Sequence, residues 1–456
     1  MPYTGTFQKL AWYGRMFKEG DVLTKLSFFI MGFSNLCRRQ IAKGLAYLIL
    51  EIGFIVYFIQ NGLNNLIGLG TLGTHQQSKA YNETTGLFEF TKGDNSMLML
   101  LGGVSALFIV AFFIIVWSAN IKSAITTQNI KEKTGKTLGI IEDIKSLFDS
   151  NLHKLLLAVP VAGLVITTVL PLIYMILMAF TNYNMEHQPP GNLFTWVGLD
   201  NFRIMLLSMD KLGYTFWRIF GWTIIWAVFA TFTNYILGML LAITINSKEI
   251  RFKKTWRTMF VISIAIPTFV SLLVIRVMLA DRGAINVLLQ ELGFTTSSLP
   301  FLTDVTWARV TVIIVNLWIG IPYSMLITTG ILSNIPPDLY ESARIDGAGP
   351  VKSFFSITMP YMLFITTPYL ITNFISNINN FSAIYFLTGG GPPTLEYFKG
   401  AGKTDLLVTW LYSLTAKSWD YSYAATIGIV IFIVTAVFSL IVYNRSGSVR
   451  KEEGFQ

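Results

Sequence analysis

The sequence predicts an all-α, polytopic membrane protein with eight transmembrane helices. Hydrophobic residues make up 53% of its 456 residues and charged residues only 13%, and the mean hydropathy is +0.56, values that soluble globular chains rarely reach. Helices are expected because each backbone polar group must find a partner within the chain where lipid surrounds it. Eight stretches have the roughly 20 apolar residues that a helix needs to cross a bilayer. They are 41–60, 96–118, 155–180, 215–246, 259–280, 307–332, 361–387 and 422–443.

Lysine and arginine residues indicate how these spans are oriented, since cytoplasmic loops carry an excess of both. Most of the 34 basic residues fall in alternate loops and at the two ends of the chain, in 9–43, 122–154, 248–257, 344–352 and 445–451. We therefore expect both termini to be cytoplasmic. The net charge of +9 then follows from topology and anionic lipid, and it requires no nucleic acid partner.

The spans divide the chain into five segments. These are a basic cytoplasmic arm (1–39), two accessory transmembrane helices (40–118), a cytoplasmic amphipathic elbow (119–154), a six-helix core (155–443) and a cytoplasmic tail (444–456). In the elbow, the stretch 138–151 has apolar residues at i, i+3 and i+4 spacing, which predicts a helix on the membrane surface. Glu51 lies within the first span, where an ionisable group is costly, and we expect it to be neutral or paired.

A polar insert, 336–360, separates the sixth and seventh spans. Pro336 and Pro337 with the following Asp338 predict a helix N-terminus, whose free N–H groups favour negative charge. Gly347 should end that helix. Pro350 should then begin a second short helix that ends near Pro360.

Polar residues share one face of two core spans. Asn373, Asn377 and Asn380 are spaced i, i+4, i+7, and Asn316, Gly320 and Tyr323 repeat that spacing in the sixth span, next to Trp318 and Ile319. Amides suit sugar hydroxyls because they donate and accept without net charge, and aromatic rings can stack on a pyranose. Alternatively, such amides bond helices together, as we expect for Asn379.

Enzymatic chemistry has little support in the sequence. Gly135-Lys136-Thr137 and Gly402-Lys403-Thr404 resemble the end of a phosphate loop, but Ile130 and Tyr397 stand where its first glycine is required. His75, His153 and His187 are far apart, so no metal site is predicted. Cys37 is the only cysteine, which excludes a disulfide within the chain.

Part of the polar insert resembles the Glu-Ala-Ala loop in membrane subunits of ATP-binding-cassette importers. The resemblance covers Glu341, Ala343, Asp346, Gly347, Ala348, Phe354, Ile357 and Pro360, while Ser342 and Met359 replace the commoner Ala and Leu. In that family the loop forms a coupling helix that docks in a groove of the ATPase subunit. The resemblance implies ATPase coupling for Glu341, Ala343, Asp346, Gly347, Phe354 and Pro360.

Two further runs, 377–392 and 404–415, resemble the carbohydrate permeases of the maltose/maltodextrin (MalF-like) family. The resemblance implies a type I importer core of six helices. It places the sugar pathway on Asn316, Ile319, Gly320, Tyr323, Asn373, Asn377, Asn380, Thr268 and Ile264. Asn373 and Thr268 stand where the maltose protein has serines. Ile264 stands where it has a tyrosine, so the sugar and its length stay open.

The resemblance implies a non-catalytic permease subunit of an ATP-driven importer for a sugar or oligosaccharide, in the plasma membrane of a prokaryote. Expected partners are a second, MalG-like permease subunit, two copies of a cytoplasmic ATPase, an extracellular solute-binding protein, the sugar and membrane lipid. ATP and Mg are expected in the ATPase, with no cofactor on this chain.

Two alternatives remain from the residues. An ion-coupled secondary sugar transporter would need buried carboxylates, and the last four spans have no Asp or Glu near their centres. A membrane sensor or scaffold would use the N-terminal extension for signalling.

Overall fold

The computed structural model describes residues 6–83, 86–135, 152–247 and 249–445. The chain forms two compact units, Met1–Trp196 and Val197–Gln456. The predicted elbow helix, 138–151, and the tail from residue 446 onwards lie outside the described residues.

The first unit begins with the segment predicted as a basic arm, which forms three helices. They are α1 (Thr6–Glu19), α2 (Val22–Leu26) and α3 (Phe33–Cys37). Arg38 is buried after α3, where its guanidinium forms an ion pair of 2.6 Å with Asp21 and donates to the Ala124 carbonyl at 3.0 Å. The end of the arm is therefore packed against other parts of this unit.

The two accessory spans are longer than predicted. The first consists of α4 (Ile41–Tyr57), a π-helical turn (Phe58–Gly62) and α5 (Leu63–Thr71), and the second is α6 (Ser96–Thr134). Between them lies an antiparallel hairpin, β1 (Lys79–Asn82) and β2 (Leu87–Phe90). Helix α6 continues past the apolar stretch because polar residues also support a helix, and it ends at Gly135, whose φ is 66°. Glu51 is paired, since its carboxylate accepts from the Met31 N–H at 2.8 Å.

The third span comprises α7 (Leu152–Leu164), a π-helical turn (Val165–Val169) and α8 (Leu170–Met178). The chain after it is bound to the first two spans. The Trp196 indole donates to the Leu69 carbonyl at 2.9 Å, and the Phe194 N–H donates to Ser96 Oγ at 3.2 Å. These bonds explain why the first compact unit ends at Trp196, after the span that the sequence assigns to the core from residue 155.

The second unit starts with six helices. They are α9 (Asp200–Leu207), α10 (Lys211–Asn246), α11 (Lys253–Ala265), α12 (Thr268–Met278), α13 (Ala284–Glu291) and α14 (Val305–Leu332). The chain bends by 89° between α11 and α12. Pro267 lies at this bend, where its missing N–H and fixed φ favour a new helix over a continuous one.

The remaining helices form the polar insert and the last spans. They are α15 (Pro337–Ile345), α16 (Pro350–Ser353), α17 (Met359–Ile378), α18 (Phe381–Leu387), α19 (Leu407–Ala416) and α20 (Tyr421–Arg445). In the described part of the chain, seven helices are long and apolar enough to span a membrane, and the number is eight if the bent pair α11–α12 is one span. The predicted all-α polytopic fold is confirmed.

The predicted end of the second insert helix near Pro360 is wrong. Helix α16 continues through a π-helical turn, Phe354–Thr358, directly into α17. Pro360 is the second residue of α17, and the wider turn before it accommodates a ring that lacks an N–H. The insert is therefore joined to the seventh span without a break.

Helix α10 carries two of the largest buried side chains of the second unit. Trp226 and Tyr235 are almost fully buried, and each finds a polar partner. The Trp226 indole donates to the Asn377 carbonyl at 3.0 Å, and the Tyr235 hydroxyl lies 2.7 Å from Thr366 Oγ1. These bonds fix α10 against α17 and so position the polar face of α17.

Candidate functional site

A polar cavity of about 440 Å³ lies among α10, α14, α17 and α18. Its walls carry amides, hydroxyls and aromatic rings. The lining residues are Asn234, Asn316, Ile319, Gly320, Tyr323, Ser324, Tyr369, Asn373, Ser376, Asn377, Asn379, Asn380, Phe381 and Ser382. We call it the amide cavity. It brings together seven of the nine residues predicted for the substrate pathway.

Helix α17 contributes Asn373 and Asn377 to this wall, one turn apart as their spacing predicts. Asn377 is 7% exposed, and its amide nitrogen donates to Thr231 Oγ1 on α10 at 3.0 Å. This amide both lines the cavity and bonds two helices, so the two interpretations of its role apply together.

Asn380 is not on the same helical stripe as Asn373 and Asn377. Helix α17 ends at Ile378, and Asn380 is the N-cap of α18, where its side-chain oxygen accepts from the Ala383 N–H at 3.1 Å. Asn caps helices well because its side chain replaces a missing backbone partner. The i, i+4, i+7 spacing of the three asparagines continues across the end of α17, so the spacing alone did not reveal that the helix ends there.

Asn379 also lines the cavity. Its amide donates to the Ile375 carbonyl of its own helix at 3.1 Å. This bond stays within one helix, whereas the sequence led us to expect that Asn379 bonds two helices together.

Helix α14 faces these amides with Asn316, Gly320 and Tyr323. Asn316 is 6% exposed, and its amide nitrogen has no hydrogen-bond partner among the described residues. A buried donor without a partner is costly, so it is available to a ligand that supplies an acceptor.

Asn234 on α10 is the main lining residue that the sequence did not indicate. Its amide nitrogen donates to the Ala230 carbonyl at 2.7 Å, while its oxygen, in the described part of the structure, has no partner. It lies directly against Gly320, where an added Cβ would clash with the Asn234 amide. Asn234 and Thr231, about one turn apart in an apolar span, were the available signal, but the sequence does not show that this face of α10 meets Gly320.

Ile264 and Thr268 line a neighbouring cavity of about 210 Å³. It lies where α11 and α12 meet, and Ile319 and Tyr323 line both cavities. The remaining two predicted pathway residues therefore adjoin the other seven through these shared side chains.

Aromatic rings form part of the amide cavity wall. The ring centroids of Tyr323 and Tyr369 are 6.2 Å apart, and the Tyr369 hydroxyl lies 3.4 Å from Ser324 Oγ. Phe381 adds a third ring from α18. None of the described lining residues is charged, so the cavity suits a neutral ligand with many hydroxyls and apolar ring faces.

The second predicted site is the insert around α15. Glu341, Asp346 and Gly347 are exposed, Ala343 is half-buried, and Gly347 has a φ of 77°, which suits the predicted turn. The Tyr340 hydroxyl lies 2.8 Å from Thr358 Oγ1, which holds α15 against the chain that leads into α17. Phe354 lies half-buried in the π-helical turn and Pro360 just beyond it. The ATPase-coupling roles of these residues stay predictions.

Among the described residues, no group of three or more His, Cys, Asp or Glu side chains is placed so that it could hold a metal ion. The predictions about cofactors stay untested.

Comparisons with known proteins agree with this architecture. Residues 234–448 match the sequence model of the family described as binding-protein-dependent transport system inner membrane component. The chain is 33% identical over 441 residues to the maltodextrin transport system permease protein MalC of Streptococcus pneumoniae, covering 94% of this chain and 97% of that protein. It is 31% identical over 424 residues to the galactooligosaccharides transport system permease protein GanP of Bacillus subtilis, and this match covers 93% of this chain and 97% of that protein.

A solved structure of similar fold is a bacterial transporter involved in import of the acidic polysaccharide alginate. It has a TM-score of 0.51 and 23% sequence identity, and the match covers 66% of this chain and 97% of that one. The predicted family, the non-catalytic permease role and the multi-pass membrane location are confirmed by these matches. The chain belongs to the family of binding-protein-dependent transport system inner membrane components, the permease subunits of ATP-binding-cassette sugar importers.

Proposed function

We propose that this chain forms half of the translocation pathway for a neutral oligosaccharide of the maltodextrin type. The observation that carries this proposal is the amide cavity, where uncharged donors and acceptors lie beside aromatic rings. Relatives named for maltodextrin and for galactooligosaccharides support an oligosaccharide as the substrate class. Asn234 Oδ1 and Asn316 Nδ2, which have no hydrogen-bond partner among the described residues, would recognise hydroxyls, since a hydroxyl both donates and accepts.

The proposed assembly contains a second permease subunit of the MalG type, two cytoplasmic ATPase subunits that bind ATP and Mg, and an extracellular solute-binding protein. The family description, binding-protein-dependent transport, supports the last of these. The second permease subunit would complete the pathway. Both termini and α15 would lie on the cytoplasmic side of a prokaryotic plasma membrane, which the distribution of lysine and arginine supports.

The exposed helix α15 would couple ATP binding to the cavity. Glu341 lies on its surface, and α16 continues without a break into α17, which carries Asn373 and Asn377. A displacement of the insert would therefore move one wall of the amide cavity. Such coupling requires that nucleotide and solute-binding protein each prefer one conformation.

Uptake by reconstituted vesicles tests this function. The purified importer should accumulate labelled maltotriose only with ATP on the ATPase side, and a galactotriose arm should report the sugar preference. Asn373→Leu should lower uptake at least about tenfold by removing a lining amide. Thr372→Leu is the matched control, since the neighbouring Thr372 is exposed and outside the cavity wall. Equal uptake by both variants would remove the cavity from the pathway.

Coupling is tested separately. Glu341→Lys should reduce sugar-stimulated ATP hydrolysis to the unstimulated rate, because it reverses the charge of an exposed docking residue. Uptake driven by a proton or sodium gradient without ATP would instead support secondary transport, which the uncharged lining of the amide cavity does not favour.

A further inference from the structure

A second polar cavity, of about 620 Å³, lies beside the glycine-rich turn after α18. Arg276, Tyr385, Phe386, Lys417 and the glycines at 389–391 are among the residues that line it. We call it the glycine-turn cavity. The pathway residues indicated by the sequence lie outside its walls.

Close backbone packing shapes its glycine wall. Gly390 has a φ of 86°, and a Cβ there would clash with the Asp405 carboxylate. That buried carboxylate accepts from the Gly402 N–H at 2.7 Å and from Thr409 Oγ1 at 2.8 Å. The wall is therefore held by hydrogen bonds before any ligand arrives, and it presents backbone rather than side chains to the cavity.

The other groups at this cavity are donors and rings. Arg276 lies in the last turn of α12, and Lys417 follows α19, and both side chains are exposed. Tyr385 and Phe386 are half-buried on α18, with ring centroids 5.4 Å apart. A guanidinium offers five donors in a fixed plane, and aromatic faces stack on apolar ring surfaces. This combination fits a sugar residue.

Aromatic rings connect the two cavities. Phe381 lines the amide cavity, and Tyr385, one helical turn later, lines the glycine-turn cavity. Their rings are stacked, with centroids 4.6 Å apart and planes inclined by 22°. Tyr412 lies edge-on to both rings, at 5.0 and 5.4 Å, and holds them from α19.

We propose that the glycine-turn cavity is a second sugar subsite, which binds a later residue of an oligosaccharide whose end lies in the amide cavity. This proposal rests on the proposed function. The connected rings favour a chain of linked sugars over separate ligands. The subsite makes the permease selective for length, because a disaccharide fills the amide cavity alone while a longer chain also reaches Tyr385.

The two cations could also receive an acidic side chain of a partner protein. We favour the sugar because a carboxylate would bind Arg276 and Lys417 but would not stack on the rings of Tyr385 and Phe386, which line the same cavity. The experiment separates these occupants.

The test compares uptake of labelled maltose and maltoheptaose by the complete reconstituted importer. Tyr385→Leu should lower maltoheptaose uptake about tenfold at subsaturating sugar, which is the scale of one lost stacking contact. Maltose uptake should stay within about twofold of the wild type. Tyr385→Phe keeps the ring and should restore the ratio of the two uptake rates. Arg276→Gln changes an exposed side chain and should lower the same ratio about threefold.

Each outcome decides the proposal. If the ratio of maltoheptaose to maltose uptake is unchanged in both Tyr385→Leu and Arg276→Gln, the proposal is overturned. This holds also if Tyr385→Leu misfolds and lowers the uptake of both sugars in parallel. Equal loss of both sugars in Arg276→Gln, together with weaker stimulation of ATP hydrolysis by the solute-binding protein, would assign the cavity to protein docking. Failure of the wild-type importer to take up either sugar would instead refute the proposed function.

Discussion

The apolar spans of the two units differ in how deeply they are buried, although the sequence makes them equally suited to lipid. In Ile41–Thr71 of the first unit, 6% of the apolar stretch is buried, against 44% in Lys211–Asn246 of the second. Lipid is as apolar as a leucine side chain, so apolarity alone does not bring membrane helices together. Small and polar residues do this, and α10 carries Gly238 against Ser324, and Thr231 bonded to Asn377.

The largest expected effect comes from removing close packing in the second unit. A Cβ on Gly238 would lie 2.5 Å from Ser324 Cβ and 2.9 Å from the Met325 nitrogen, so Gly238→Leu should destabilise the unit by about 3 kcal/mol or more. In the first unit, a Cβ added at Gly53 meets no atom within 4 Å, so the matched change Gly53→Leu should cost far less. Thermal unfolding in detergent compares them, and equal losses would refute this view of burial.

A smaller effect is expected at the amide cavity. Gly320→Ala should displace the Asn234 amide and break its bond to Ala230, which weakens sugar binding by about 1 to 2 kcal/mol. The apparent KM for sugar should then rise about tenfold. Gly330→Ala on the same helix meets nothing within 4 Å and serves as the control. An unchanged KM in Gly320→Ala would show that Asn234 does not depend on this contact.

Loop carboxylates in the two units should respond to pH with opposite signs. Burial raises the pKa of Asp405, so its protonation favours the folded state, and stability should rise as pH falls from neutral toward the unfolded carboxyl value of about 4. The backbone N–H groups of His75 and Thr74 lower the pKa of Asp94, so its contribution is lost as pH falls below about 4. The test subtracts the melting temperature of each variant, Asp405→Asn or Asp94→Asn, from that of the wild type and plots the difference against pH. As pH falls, the difference should rise for Asp405 and fall for Asp94. Parallel slopes would contradict this assignment.

The smallest effect is expected at Glu51 in the first unit. Glu51→Gln keeps an oxygen that can accept from the Met31 N–H, so the change in unfolding free energy should be about 1 kcal/mol or less. Normal uptake with a small shift in melting temperature would support a structural role. Loss of uptake at full stability would give Glu51 a function in transport.

Some of the site could be predicted because membrane helices keep their periodicity. Asn373 and Asn377 line one cavity because residues four apart share a helix face, and Asn316 and Gly320 do so for the same reason. Asn234 could not be predicted, since its role depends on where α10 meets Gly320. The break at Asn379 and Asn380 was hidden because a capping asparagine and a pathway asparagine look alike in sequence.

The sequence by itself determined the membrane class, the approximate spans and the family, because apolar length and motif spacing are local properties of the chain. Tertiary structure decided which spans are buried, where α11 and α12 bend, that the insert continues through Pro360, and that Phe381 and Tyr385 connect two cavities. These features depend on contacts between residues far apart in the chain. Hydropathy and periodicity describe each helix alone, so they carry no information about which neighbour it meets.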